Sequence, residues 1–123
     1  MNIAFIADDD KKILMANLCV AYRHILIKHT LYATGTTGKA IERAANLSVN
    51  KFLAGKLGGV HQVGALFSDG TIDLLIYLRQ SVKEQGACDH EIMLKLCDVH
   101  NILFATNLMT AEALLQFIDR GET

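Results

Sequence analysis

The stretch LYATGTTG, Leu31 to Gly38, sets three threonines and two glycines within the five residues Thr34 to Gly38. Glycines let the backbone turn so that successive N–H groups face one point. A helix beginning there adds its partial positive end, and threonine hydroxyls donate further hydrogen bonds. That is the chemistry of a phosphate cradle, although the spacing is not that of a Walker A loop. The same residues also make a capped turn from a strand into a helix. The pattern alone leaves both readings open. Lys12 could add a point charge to such an anion, or simply stand as a solvated surface lysine.

Other residues could do chemistry. Asp8, Asp9 and Asp10 are adjacent carboxylates that repel one another, so one must point away or find a partner. Helix capping accounts for one or two of them; one aimed into a cleft would be a functional carboxylate. His61 follows the pair Gly58-Gly59 and could move protons near neutral pH, or cap a turn. Cys88, His90, Cys97 and His100 have the donor types of a zinc site. However, His90, Cys97 and His100 would be spread over several turns of one helix, so no metal site is expected. Cys97 reads as a small core residue.

The elements that must position these residues alternate. NIAFIA (Asn2 to Ala7), TLYA (Thr30 to Ala33), VNKFLA (Val49 to Ala54), IDLLIYL (Ile72 to Leu78) and ILFAT (Ile102 to Thr106) read as strands. Between them lie helical patterns over Lys11 to His29, over Gly38 to Leu47 with Thr37 as N-cap, and, after the pair Gly58-Gly59, through HQVGALFSDG. Two more follow, Asp89 to His100 capped by Asp89 and Thr110 to Arg120 capped by Thr110. This alternation predicts an α/β domain: a parallel sheet of about five strands with helices on both faces. Ligands in such sheets bind beyond the carboxyl ends of the strands. That rule picks out Asp8 to Asp10, Thr34 to Gly38, Ala54 to Val60, Arg79 to Asp89, and Thr106 with Asn107.

Composition bounds the rest. The chain has 123 residues, 51% of them hydrophobic, and a net charge of -1. One domain over residues 1–123 is expected, with a core that needs no staples. Nothing in the charge balance points to nucleic acid or a membrane surface. No apolar run reaches the roughly 18 residues of a membrane span. Three cysteines without framework spacing suit reduced thiols, and a cytoplasmic protein is expected.

Taken together, IAFIADDDKK, LYATGTTG, LGGVHQVGAL, IDLLIYLR and LCDVHNILFATNLMTAE resemble the methylglyoxal synthase family, collinearly from Ile3 to about Glu112. The resemblance implies a three-layer Rossmann-like domain with no cofactor. It also implies an enzyme that removes a carbon-bound proton from dihydroxyacetone phosphate and expels phosphate, leaving methylglyoxal. It places Lys12, Thr34, Thr36, Thr37 and Gly55 in the phosphate pocket. Ala54 stands where the family usually has a serine.

The family's catalytic groups match less well. GGVHQ stands where the family has GGDQQ, so Val60 occupies the position of the base. Gln80 replaces an aspartate, and Gly86 or Ala87 falls where the family has its catalytic histidine. The family's loop prolines are missing too, since the chain contains no proline. Asp9 and Asp89 survive, and His61 adjoins the lost base. Three functions are therefore weighed. The first is a phosphate-binding member with impaired catalysis. The second is an active synthase whose base has moved to Asp9, Asp89 or His61. The third is a regulatory domain that senses a phosphorylated ligand. The family forms closed homo-oligomers, commonly hexamers, and an oligomer is expected here.

Overall fold

A computed structural model of the chain describes residues 1–52, 65–66, 69–79 and 87–121. Its central strand is β1 (Asn2–Ala7), in which every residue after Asn2 is buried. Continuous burial is what a strand covered on both faces of a parallel sheet requires. β2 (Thr30–Thr34) pairs with one side of β1 and β4 (Leu74–Leu78) with the other. β3 (Asn50–Phe52) extends the sheet beyond β2, and β5 (Leu103–Ala105) beyond β4. All four pairings are parallel, in the order β3-β2-β1-β4-β5. Every residue of β4 is buried, as its unbroken apolar run predicts.

Side chains alternate across the sheet. Ile3 and Phe5 of β1 face one core with Met15, Leu18, Ile41, Leu115 and Ile118. These come from α1 (Lys12–Ala21), α3 (Gly35–Ala45) and α5 (Leu108–Gly121). Ala4 and Ile6 face a second core with Leu75, Tyr77, Met93 and Cys97. The last two belong to α4 (Ala87–His100). Helices thus cover both faces, and the fold is the three-layer Rossmann-like α/β arrangement.

Several boundaries differ from the sequence expectation. The helix expected over Lys11 to His29 is divided. A short 3-10 turn, Asp9–Lys11, leads into α1, and Tyr22 separates α1 from α2 (Arg23–Leu26). At the break, Tyr22 reaches a distant helix. The Tyr22 hydroxyl donates to Glu112 Oε1 at 3.1 Å and accepts from Gln116 Nε2 at 3.3 Å, which ties it to α5. α3 begins at Gly35 with Thr34 as N-cap, so Thr37 lies inside its first turn. α4 begins at Ala87, which makes Asp89 part of the helix and not its cap. α5 begins at Leu108. Its cap is Asn107, whose Oδ1 accepts the Thr110 N–H at 2.9 Å. The third strand was expected through Ala54; Leu53, Ala54, and the expected helix from His61 up to Gly64 lie outside the described residues.

Candidate phosphate site at the carboxyl edge

The strand order reverses at β1, because β2 and β3 lie to one side while β4 and β5 lie to the other. Such a switch point opens a crevice at the carboxyl ends of the strands. β1 and β4 end together there, with the Asp8 N–H donating to the Leu78 carbonyl at 2.9 Å. β2 ends beside them at Thr34, where α3 starts. The Asp8–Asp10 turn and the first residue of α1, Lys12, lie on the same edge.

The start of α3 is unusual for a threonine-capped helix. An N-cap hydroxyl ordinarily accepts one of the helix's unpaired N–H groups. Thr34 adopts the extended conformation of a cap, with φ −63° and ψ 153°, but makes no side-chain cap bond. Its Oγ1 instead donates sideways to Thr37 Oγ1 at 3.2 Å. Both threonines are nearly inaccessible, at 4% and 0% exposure. Thr36 is exposed. The first-turn N–H groups of an α-helix lack intrahelical acceptors, and here the cap side chain leaves them to another partner. Their shared positive end favours an anion.

Lys12 does not stand alone at this edge. Its ammonium lies 2.5 Å from Asp9 Oδ1, an i,i+3 pair in which the carboxylate side chain is 85% exposed and the lysine 21%. An ion pair so open to water is weak, so an incoming anion could compete for the lysine. Of the predicted site residues, the structure brings Lys12, Asp9, Thr34, Thr36 and Thr37 to one edge of the sheet. Gly55, Val60, His61, Gln80 and Gly86 lie outside the described residues. Asp89 is placed only as a backbone position in α4.

The two cysteines whose side chains are described, Cys19 and Cys97, are not poised for chemistry. Burial pushes the Cys19 thiol up to about 12. Burial, helped by the charge of Asp98, does the same to Cys97, again to about 12. Both are free and buried, and neither is a ready nucleophile. Among the described residues, no group of three or more His, Cys, Asp or Glu side chains converges as a metal site would require. No described helix is long and apolar enough to cross a membrane. A surface groove of about 560 Å³ lies between α1–α2 and α5, lined by residues that include Tyr22, His24, Glu112 and Asp119. It shares no residue with the threonine edge.

Sequence reasoning missed the side-chain partners at this edge. The Asp9–Lys12 pair has a legible signal, opposite charges three residues apart at a helix start. The Thr34–Thr37 pair carries no such signal, since it depends on where α3 begins.

Comparison with known proteins agrees with this architecture. A family model described as the MGS-like domain matches residues 15–106. A methylglyoxal synthase of Caldicellulosiruptor saccharolyticus is 52% identical over 123 residues, covering 99% of this chain and 87% of the relative. One of Alkaliphilus metalliredigens is 48% identical, covering 99% of this chain and 92% of the relative. Among solved structures, the crystal structure of methylglyoxal synthase from Elizabethkingia anophelis NUHP1 superposes with a TM-score of 0.84 at 32% identity. It covers 93% of this chain and 76% of that one.

Proposed function

This chain belongs to the MGS-like domain family, and on that premise we propose that it binds dihydroxyacetone phosphate, a related phosphate ester or inorganic phosphate, with impaired turnover. The observation that carries the binding half is the start of α3. Thr34 keeps its hydroxyl from capping the helix and gives it to Thr37, so the first-turn N–H groups remain for an anion. Lys12 supplies a cation on the same edge, loosely held by Asp9. In this reading the phosphate rests on Thr34, Thr36, Thr37 and Gly55, with Lys12 as its counter-charge, and residues 1–123 act as one domain.

The catalytic half rests on residue types. Enolisation needs a base within hydrogen-bond reach of the carbon, and a valine cannot accept a proton. With Val60 at that position, and neither the aspartate replaced by Gln80 nor the family's histidine, a loss of about 10²–10⁴-fold from the base alone is expected. The test is methylglyoxal release from dihydroxyacetone phosphate, run beside a calorimetric phosphate titration on the same preparation. Binding with turnover at least about 10²-fold below an active relative supports the reading. Turnover at the relative's rate sinks it, and Val60→Asp should raise activity.

A second reading is favoured by 52% identity to a relative named methylglyoxal synthase and by the position of Asp9 beside Lys12. Here the base has moved, to Asp9 at the described edge or to Asp89 or His61. Asp9→Asn, Asp89→Asn and His61→Gln together distinguish the two readings, since one of them abolishes turnover if the base has moved there. Free thiols suit a cytoplasmic setting. The homo-oligomer, hexameric by family resemblance, is checked by light scattering.

A further inference from the structure

Among the described residues, β3 is a three-residue edge strand that pairs with β2 alone. Its last residue, Phe52, is in register with Thr34, so the carboxyl end of β3 lies beside the threonine start of α3. One carboxylate ties this strand to α3. Glu42, two turns into α3, accepts the Val49 N–H on Oε2 at 3.2 Å and the Lys51 ammonium on Oε1 at 2.7 Å. Lys51 and Glu42 hold each other with their side chains each 34% exposed. The pair holds the Glu42 carboxyl below its ordinary range.

The stem of Lys51 is as informative as its head. A Cβ added to Gly38 would lie 2.7 Å from Lys51 Cγ and 3.2 Å from its Cδ. Gly38 and Glu42 are four residues apart, one above the other on the same face of α3. Lys51 therefore lies along that face, its methylenes in the notch at Gly38 and its ammonium on Glu42. The lysine is a strap running from the edge strand across the helix.

We propose that Glu42 and Lys51 are positioning residues for the phosphate site. Together with the notch at Gly38, they fix the carboxyl end of β3 against the first turn of α3. The proposal rests on the phosphate-binding reading above, and its test separates the two.

Phosphate binding is measured by calorimetry, and amide hydrogen exchange is followed over residues 30–52, in the full chain. Wild type is compared with Glu42→Ala, Glu42→Gln, Lys51→Ala and Lys51→Met. Asp119→Ala serves as control, because it breaks the comparable Lys28–Asp119 pair at 2.5 Å on another part of the surface. Glu42→Ala and Lys51→Ala should weaken phosphate about three- to tenfold and speed exchange at Asn50 to Phe52. Glu42→Gln keeps an acceptor for the Val49 N–H, and Lys51→Met keeps the stem. Each should recover most of the loss. Asp119→Ala should leave both readouts unchanged.

The strap is overturned if Glu42→Ala and Lys51→Ala match wild type in exchange and binding. It is also overturned if Asp119→Ala weakens phosphate to the same degree, since the effect would then be general stability. A wild type that binds no phosphate refutes the functional reading, and the exchange arm still decides whether the strap orders β3.

Discussion

The two ends of the sheet are built differently. At the amino end, strands are tied by long-range hydrogen bonds. The Asn2 N–H donates to Asp73 Oδ2 at 2.8 Å, and Asn2 Nδ2 donates to the Thr71 carbonyl at 2.7 Å. The Thr30 N–H donates to the Met1 carbonyl, and Met1's ammonium meets His29 Nδ1 at 3.1 Å. Arg23 Nε caps the carboxyl end of α3 at the Ala45 carbonyl, 2.7 Å away, and Lys28 pairs with Asp119. At the carboxyl end, the side-chain bonds of the aspartate turn and of the α3 start are local: Lys12 with Asp9, and Thr34 with Thr37, each three residues apart. Long-range polar bonds stabilise the frame at one end. At the other, among the described residues, Lys12 and Thr34 bond near neighbours in the sequence. Under the phosphate-binding proposal, that division separates stability from binding.

Four substitutions can break that separation or sharpen it. The largest expected effect is on stability. Asp73→Ala removes the acceptor of the Asn2 N–H and should cost about 2 kcal/mol, read by urea denaturation. Phosphate affinity should hold within about twofold, the scale of a contact with no part in the site. If binding falls with stability, the two ends are coupled and the division is wrong.

Thr37→Val is the converse. It keeps the volume at a fully buried position and deletes the hydroxyl that receives Thr34. Calorimetry should show phosphate weakened about tenfold, with a stability change near 1 kcal/mol. A third test releases Lys12 from its local partner. Asp9→Asn should tighten phosphate about two- to threefold, a gain that salt then erodes.

The smallest effect concerns pH. Lys28 bonding, then the charges of Lys28, His24 and His29, hold the Asp119 carboxyl below its ordinary 3.8. A depressed carboxylate adds stability above its unfolded value and loses it as pH falls through the lower folded one. Denaturation midpoints measured from pH 6 down past 3.8 should show this acid limb flattened in Asp119→Asn. Phosphate binding at neutral pH should be untouched.

Much of the frame was legible in the residues because burial on both faces leaves its mark. NIAFIA and LLIYL are continuous apolar runs, and they became the two central strands. The caps were less legible. Thr37 and Thr110 are good capping types, yet Thr34 and Asn107 hold those positions. Cap identity depends on the backbone's first helical turn, and residue type alone does not set that. Gly35 looked like part of a turn before the helix, but α3 already begins there, and Lys51 fills the notch at Gly38. The break at Tyr22 left no mark in the helical pattern, and the partners of its hydroxyl, Glu112 and Gln116, lie about ninety residues away. At the site, the spacing of the threonines left a cradle and a capped turn both open, and Lys12 was tied to them only by the family resemblance. The Thr34–Thr37 pair and the Glu42–Lys51 strap could not be read, since each depends on register.

The central place of β1 has a consequence for how the chain folds. Its two neighbours are very unequal in sequence distance. β2 follows after a single helical crossover, whereas the ties between Asn2 and Asp73 span 71 residues. Closing the longer loop costs more chain entropy, and contacts of long separation form late. The half built from β1, α1, β2, α3 and β3 is therefore expected to organise first, and to offer the open side of β1 as a template for β4. Substitutions such as Ile41→Val should slow refolding, while Leu75→Ala should mainly speed unfolding. Equal partitioning in the two halves would count against that order.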